Sequence, residues 1–117
     1  MPTGSPIPFD GPSLSSGIGS VGGVFTLGPA GNYEVVVTVE ANAPLDANIL
    51  SIQGFQNGIA VPRAQFSSGT TSAGESANFG GPFIVTTAAP GETLEIRNVT
   101  GEDMIFNEAR LTIVRFA

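Results

Sequence analysis

Ala109-Arg110-Leu111-Thr112-Ile113-Val114-Arg115-Phe116-Ala117 is the stretch that decides how the rest of the chain is read. β-Branched and aromatic residues dominate it, and neither Gly nor Pro interrupts it, which is the composition of a strand. At the two-residue period of a strand, Leu111 and Ile113 share one face, and Thr112, Val114 and Phe116 share the other. A strand on the skin of a one-core sandwich is polar on its solvent side. This one is apolar enough on both sides to predict two covered faces. A chain of 117 residues leaves little material for a third layer. The second cover is therefore expected from further copies of the same chain, with Thr112, Val114 and Phe116 as the candidate interface residues.

Working back from that segment, turn signals cut the chain into short apolar runs. Residues 33–40 alternate, with Tyr33, Val35, Val37 and Val39 on one face and Glu34, Val36, Thr38 and Glu40 on the other. Residues 49–55 and 59–66 flank Gln56-Asn57-Gly58, and Asn-Gly between apolar runs predicts a tight hairpin. Pro62 places the returning strand at a sheet edge. Further strands are expected at 7–9 (an edge, because of Pro8), 24–27, 83–87, 92–97 and 104–106. Residues 10–23 and 67–81 are rich in Gly, Ser and Thr and read as long loops, with Leu14, Ile18 and Val21 as possible anchors in the first. Residues 98–103 and Asn107-Glu108 read as turns. The expectation is an all-β antiparallel sandwich of about eight to ten strands: a polar arm at 1–6, then one domain at 7–117. On pattern alone, a jelly roll and an immunoglobulin-like sandwich both fit, although the Cys–Trp–Cys core of the latter is missing.

Composition excludes more than it assigns. The chain carries four Arg, no Lys and a net charge of −6. A nucleic-acid binder needs clustered cations, and Arg63, Arg97, Arg110 and Arg115 are scattered among ten carboxylates. No apolar run approaches the roughly 20 residues of a membrane-spanning helix, so neither nucleic acid nor membrane insertion is expected. The polar, Pro-containing start carries no basic-then-apolar signal segment. Charged residues are 12%, about half the usual share. The surface must then be covered by Ser, Thr, Asn, Gln and Gly, or by partner subunits.

Catalysis is hard to build from this set. His, Cys and Lys are all absent, which removes the commonest bases, nucleophiles and Schiff-base formers. Carboxylate pairs do not converge: Glu34 and Glu40 share a face but sit about 20 Å apart at strand rise, against roughly 5–9.5 Å for glycosidases. No enzyme, no cofactor and no catalytic residue is expected. Asp10, Asp46, Glu102 and Asp103 are loop carboxylates of the kind calcium uses, but no loop has a calcium-loop spacing, so no metal is expected. Asn98-Val99-Thr100 is a glycosylation sequon by pattern and reads here as a turn. Tyr33 and Phe25 read as core. Phe55 and Phe66 join Phe116 as aromatic candidates for a subunit interface, and Arg110 and Arg115 are candidate partners of Glu34, Glu40 or Glu108 across strands or subunits.

Six short motifs, taken in order, resemble a known family. They are Ile7-Pro8-Phe9, Ser16-Gly17-Ile18, Phe25-Thr26-Leu27, Ala30-Gly31-Asn32-Tyr33, Pro90-Gly91-Glu92-Thr93-Leu94 and 109–115. The ordered set resembles the C-terminal globular domain of Bacillus collagen-like exosporium glycoproteins, within the C1q/tumour-necrosis-factor-like jelly rolls. The resemblance implies a ten-strand jelly roll that forms a homotrimer, with the last strand in the inner sheet near the three-fold axis. It implies a structural module on the outer surface of a spore. No Gly-X-Y run occurs within the 117 residues, and a stand-alone jelly roll of this size equally suits a virion, as a phage capsid decoration or fibre-tip protein. The other reading is a lectin-like module binding carbohydrate or a host-surface protein through residues 10–23 and 67–81.

Overall fold

A computed structural model describes residues 4–9, 11–46, 49–101 and 104–117. The alternation of 33–40 lies within the long strand β4 (Gly31–Asn42), whose odd-numbered residues from Tyr33 to Ala41 are all buried. Around it the described residues form β1 (Ser13–Leu14), β2 (Ile18–Val21), β3 (Val24–Leu27), β5 (Ile49–Gln56), β6 (Ile59–Gly69), β7 (Ser76–Thr87), β8 (Glu92–Asn98) and β9 (Ile105–Arg115). They pair into two sheets, β1-β9-β4-β7 and β2-β3-β8-β5-β6. The expected β-sandwich is thus present, with nine strands among the described residues.

The core lies between the sheets. Tyr33, Val35, Val37, Phe83, Val85, Leu111 and Ile113 from one sheet meet Phe25, Leu27, Ile52, Leu94 and Ile96 from the other. Each such side chain contributes about 1.5–3 kcal/mol by leaving water. A smaller cluster of Ala41, Ala43, Leu50, Ala77 and Met104 fills one end. Tyr33 is fully buried, and its hydroxyl donates to the Pro29 carbonyl, which satisfies the one polar atom of that ring.

The hairpin forms as expected. Asn57 and Gly58 both have positive φ, 51° and 78°, the conformation that the two-residue turn demands. Pro62 lies in β6, which is an edge strand. Four expectations are corrected. Residues 10–23 are not one loop: β2 pairs antiparallel with β3, and β1 pairs parallel with Thr112 and Ile113. Leu14 and Ile18 pack against the core, whereas Val21 is exposed and anchors nothing. Residues 67–81 are not one loop either, because β6 continues to Gly69 and β7 starts at Ser76. Residues 7–9 form no strand, but the segment before them still lies along β8, with Pro6 bridged to Arg97 and the Ile7 amide on the Ile96 carbonyl at 2.8 Å. Gly4 and Ser5 of the expected arm also bond to Asn98; residues 1–3 lie outside the described residues.

The fourth correction concerns Asn107-Glu108, which is a bulge in a continuous strand and not a turn. Glu40 faces Glu108 while Ala41 faces Phe106, so Asn107 is the extra residue. One extra residue reverses the side-chain parity. Phe106 thereby joins Ala109, Leu111 and Ile113 on the inward side.

Candidate functional site

β9 occupies a middle position in its sheet, between β1 and β4. Leu111 and Ile113 fill the core. The opposite face of the sheet carries the residues expected to meet other copies. Val114 is 43% and Phe116 55% exposed, and Thr112 is half-buried. Their neighbours are set by register: Val114 faces Glu34 on β4, which faces Ile84 on β7; Thr112 faces Val36, which faces Pro82. Val36 and Ile84 are exposed as well, Ile84 at 59%. Three adjacent strands therefore present one patch built from Val36, Pro82, Ile84, Val114 and Phe116, with the Glu34 carboxylate in its middle. Residues singled out only on β9 thus belong to a surface three strands wide. Val36 and Ile84 carried a signal, since both are β-branched apolar residues on the polar side of an alternating run, but the pairing of β4 with β7 was needed to place them together.

The far half of the same face is polar. Arg110 pairs with Glu108 on its own strand, beside Glu40, Thr38 and Asn78. Asn107 donates to Asn42, which also accepts from the Ser76 hydroxyl. None of the arginine pairings expected across strands forms among the described residues: the Glu108 that holds Arg110 is on the same strand. Arg115 turns to the Ala30 carbonyl, with its Nη2 at 2.9 Å. Phe55 and Phe66 do not join this face. Phe55 lies under the Arg97 guanidinium on the other sheet, with 4.1 Å to the ring centroid, and Phe66 packs on Phe83 between the sheets.

Among the described residues no group of three or more potential metal ligands comes together. Asp46 accepts the Ala73 amide, and Asp10, Glu102 and Asp103 lie outside the described residues. The Asn98 side chain of the sequon is buried and accepts the Thr100 amide, while the Thr100 hydroxyl donates to Ser51. In the folded chain that amide is engaged in the fold and closed to a glycosyl donor.

Two carboxylates fasten the loops at the sandwich ends. Glu92 accepts the Ala88 and Ala89 amides with Oε2 and the Gln56 and Asn57 side-chain amides with Oε1. This ties the β5–β6 turn to the β7–β8 turn. Glu75 accepts the Thr71 and Ser72 amides and the Thr71 hydroxyl, closing residues 70–75 on themselves. Of the expected binding loop 67–81, only residues 70–75 remain between strands, and these bonds hold them. The Ala89 amide first, then the Gln56, Ala88 and Asn57 donors, hold Glu92 below its ordinary value of 4.5 against a desolvation that raises it. The Thr71 amide does the same for Glu75. A folded-state pKa below the unfolded one contributes stability above the ordinary carboxylate value, lost as pH falls through the folded pKa. The melting temperature is therefore expected to fall on acidification from pH 6 to pH 3, and to fall less in Glu92→Gln. Equal falls in the two proteins would refute this role.

No protein family and no curated protein matches the sequence. Solved structures do match the fold. The globular domain of zebrafish complement 1qA protein is similar over 98% of this chain and 86% of its own, with a TM-score of 0.71 at 16% identity. Rabbit GITRL is similar over 87% of this chain and 78% of its own, with a TM-score of 0.53 at 17% identity. The chain is a β-sandwich module with the C1q/TNF-like jelly-roll fold.

Proposed function

We propose that the chain is a non-catalytic structural module that assembles into a homotrimer through the β9–β4–β7 face, displayed on the outside of a particle such as a spore or a virion. The observation that carries this reading is the patch of Val36, Pro82, Ile84, Val114 and Phe116. These side chains gain nothing from being exposed, and they form one contiguous surface on a sheet whose other side is already core. The C1q/TNF-like fold supports the three-fold arrangement implied by the sequence resemblance. The low charge and the bonded, Ser/Thr/Gly-rich loops suit a surface that displays little and assembles with itself.

Light scattering or native mass spectrometry at micromolar concentration tests the reading. A species of three 11.9 kDa chains is expected. A lone chain would overturn it.

A further inference from the structure

The patch contains one group that does not belong in an apolar interface. Glu34 is exposed between Val114 and Ile84, and among the described residues its carboxylate makes no hydrogen bond or ion pair. A partner chain covering this face would bury that charge, which is strongly unfavourable unless a counter-charge arrives with it. The chain has four cations to offer. Arg97 is paired with Glu95, Arg110 with Glu108, and Arg115 is held on Ala30. Arg63 alone makes no such contact among the described residues.

Arg63 is also placed by the fold. Between the pairs Gln53–Gln65 and Phe55–Ala60, β6 carries a wide bulge opposite Gly54, and Arg63 sits in it at φ 65°, exposed. It lies on the sandwich rim where β6 meets β7, and it shares with Glu34, Pro82 and Ile84 a groove of about 420 Å³. The two opposite charges line one groove of one chain without pairing in it.

Symmetry then separates the possible assemblies. A two-fold, face-to-face dimer superposes the two patch centres and brings Glu34 against Glu34, like charges in an apolar contact. A head-to-tail ring places a different surface on the patch. We infer that in the assembly the rim of one protomer docks on the patch of the next, and that Arg63 of each copy pairs with Glu34 of its neighbour. This rests on the self-assembly reading above, whose three-fold ring is already head-to-tail, and adds the ion pair that fixes the contact.

The test uses two charge reversals at exposed positions, Glu34→Arg and Arg63→Glu, each checked for folding by circular dichroism, with association followed by analytical ultracentrifugation. Each variant alone is expected to associate about tenfold or more weakly than the parent. Mixed in equal amounts they should associate more strongly than either alone, because two of the three contacts in a mixed ring then restore an Arg–Glu pair across subunits, whereas a pair within one chain stays broken. Parent-like association of either single variant, or a mixture that associates no more strongly than the single variants, overturns the pairing. A parent that is itself a lone chain overturns the assembly reading instead.

Discussion

Introducing Ile84→Asp and Val114→Asp together is expected to leave a folded, solitary subunit. Both side chains stand on the outer face, on either side of Glu34, so the double variant sets three carboxylates in one row across three strands. In the free subunit water solvates all three, and the two directly opposed like-charge pairs cost about 0.2–1 kcal/mol each. In a covered interface each added carboxylate lacks a partner, at a cost of about 2–4 kcal/mol per site. Every 1.4 kcal/mol is tenfold in affinity, so association falls by several orders of magnitude while the subunit stays folded by circular dichroism. A double variant that sediments like the parent would show that this face is not where copies meet.

Gly80→Ala is expected to damage the fold itself. Gly80 lies inside β7 opposite Thr38, with φ at 149°. A Cβ there would come within 2.0 Å of the Val37 carbonyl oxygen and 2.8 Å of the Thr38 Cα, both backbone atoms of the strand at the heart of the sheet. Neither can move without breaking the β4–β7 ladder. Combining the backbone strain with the overpacking gives a loss of about 3–5 kcal/mol. That is a large part of the stability of an ordinary domain, or a fall of roughly 12–20 °C in melting temperature. Gly69→Ala serves as the control, because a Cβ on Gly69 meets nothing within 4 Å. Equal melting temperatures for the two variants would rule out a close-approach role for Gly80.

Gly80 also shows where the sequence was legible and where it was not. The alternation of Tyr33 to Val39 and the Asn57-Gly58 turn are local signals, each with one physical reading, and each pointed to the right element. Residues 67–81 misled because glycine has two opposite meanings. In a turn it supplies positive φ; inside a strand it marks a place where something else comes close. Gly80 makes room for the β4 backbone, and Gly81 for the Phe66 ring, 2.7 Å from where its Cβ would stand. Both partners are distant in sequence, so nothing near these glycines distinguishes the second meaning from the first. The Asn107 bulge is hidden for the same reason, since an unpaired residue exists only relative to the strand opposite. The candidate site was half legible: β9 announced Val114 and Phe116, whereas Val36, Ile84 and Glu34 gained their meaning only from the register of β4 with its two neighbours.

The last strand in the sequence is a middle strand in its sheet. During synthesis β4 and β7 can pair early, but the long edge of β4 that later receives β9 stays bare until residues 105–115 have emerged from the ribosome. Premature termination or proteolysis before residue 105 would therefore not produce a trimmed but serviceable domain. It would expose a strand with unmet amides and carbonyls, ready to recruit any other extended chain. Vectorial synthesis thus gives this domain a built-in check: only a chain that includes residues 105–115 can close its own sheet.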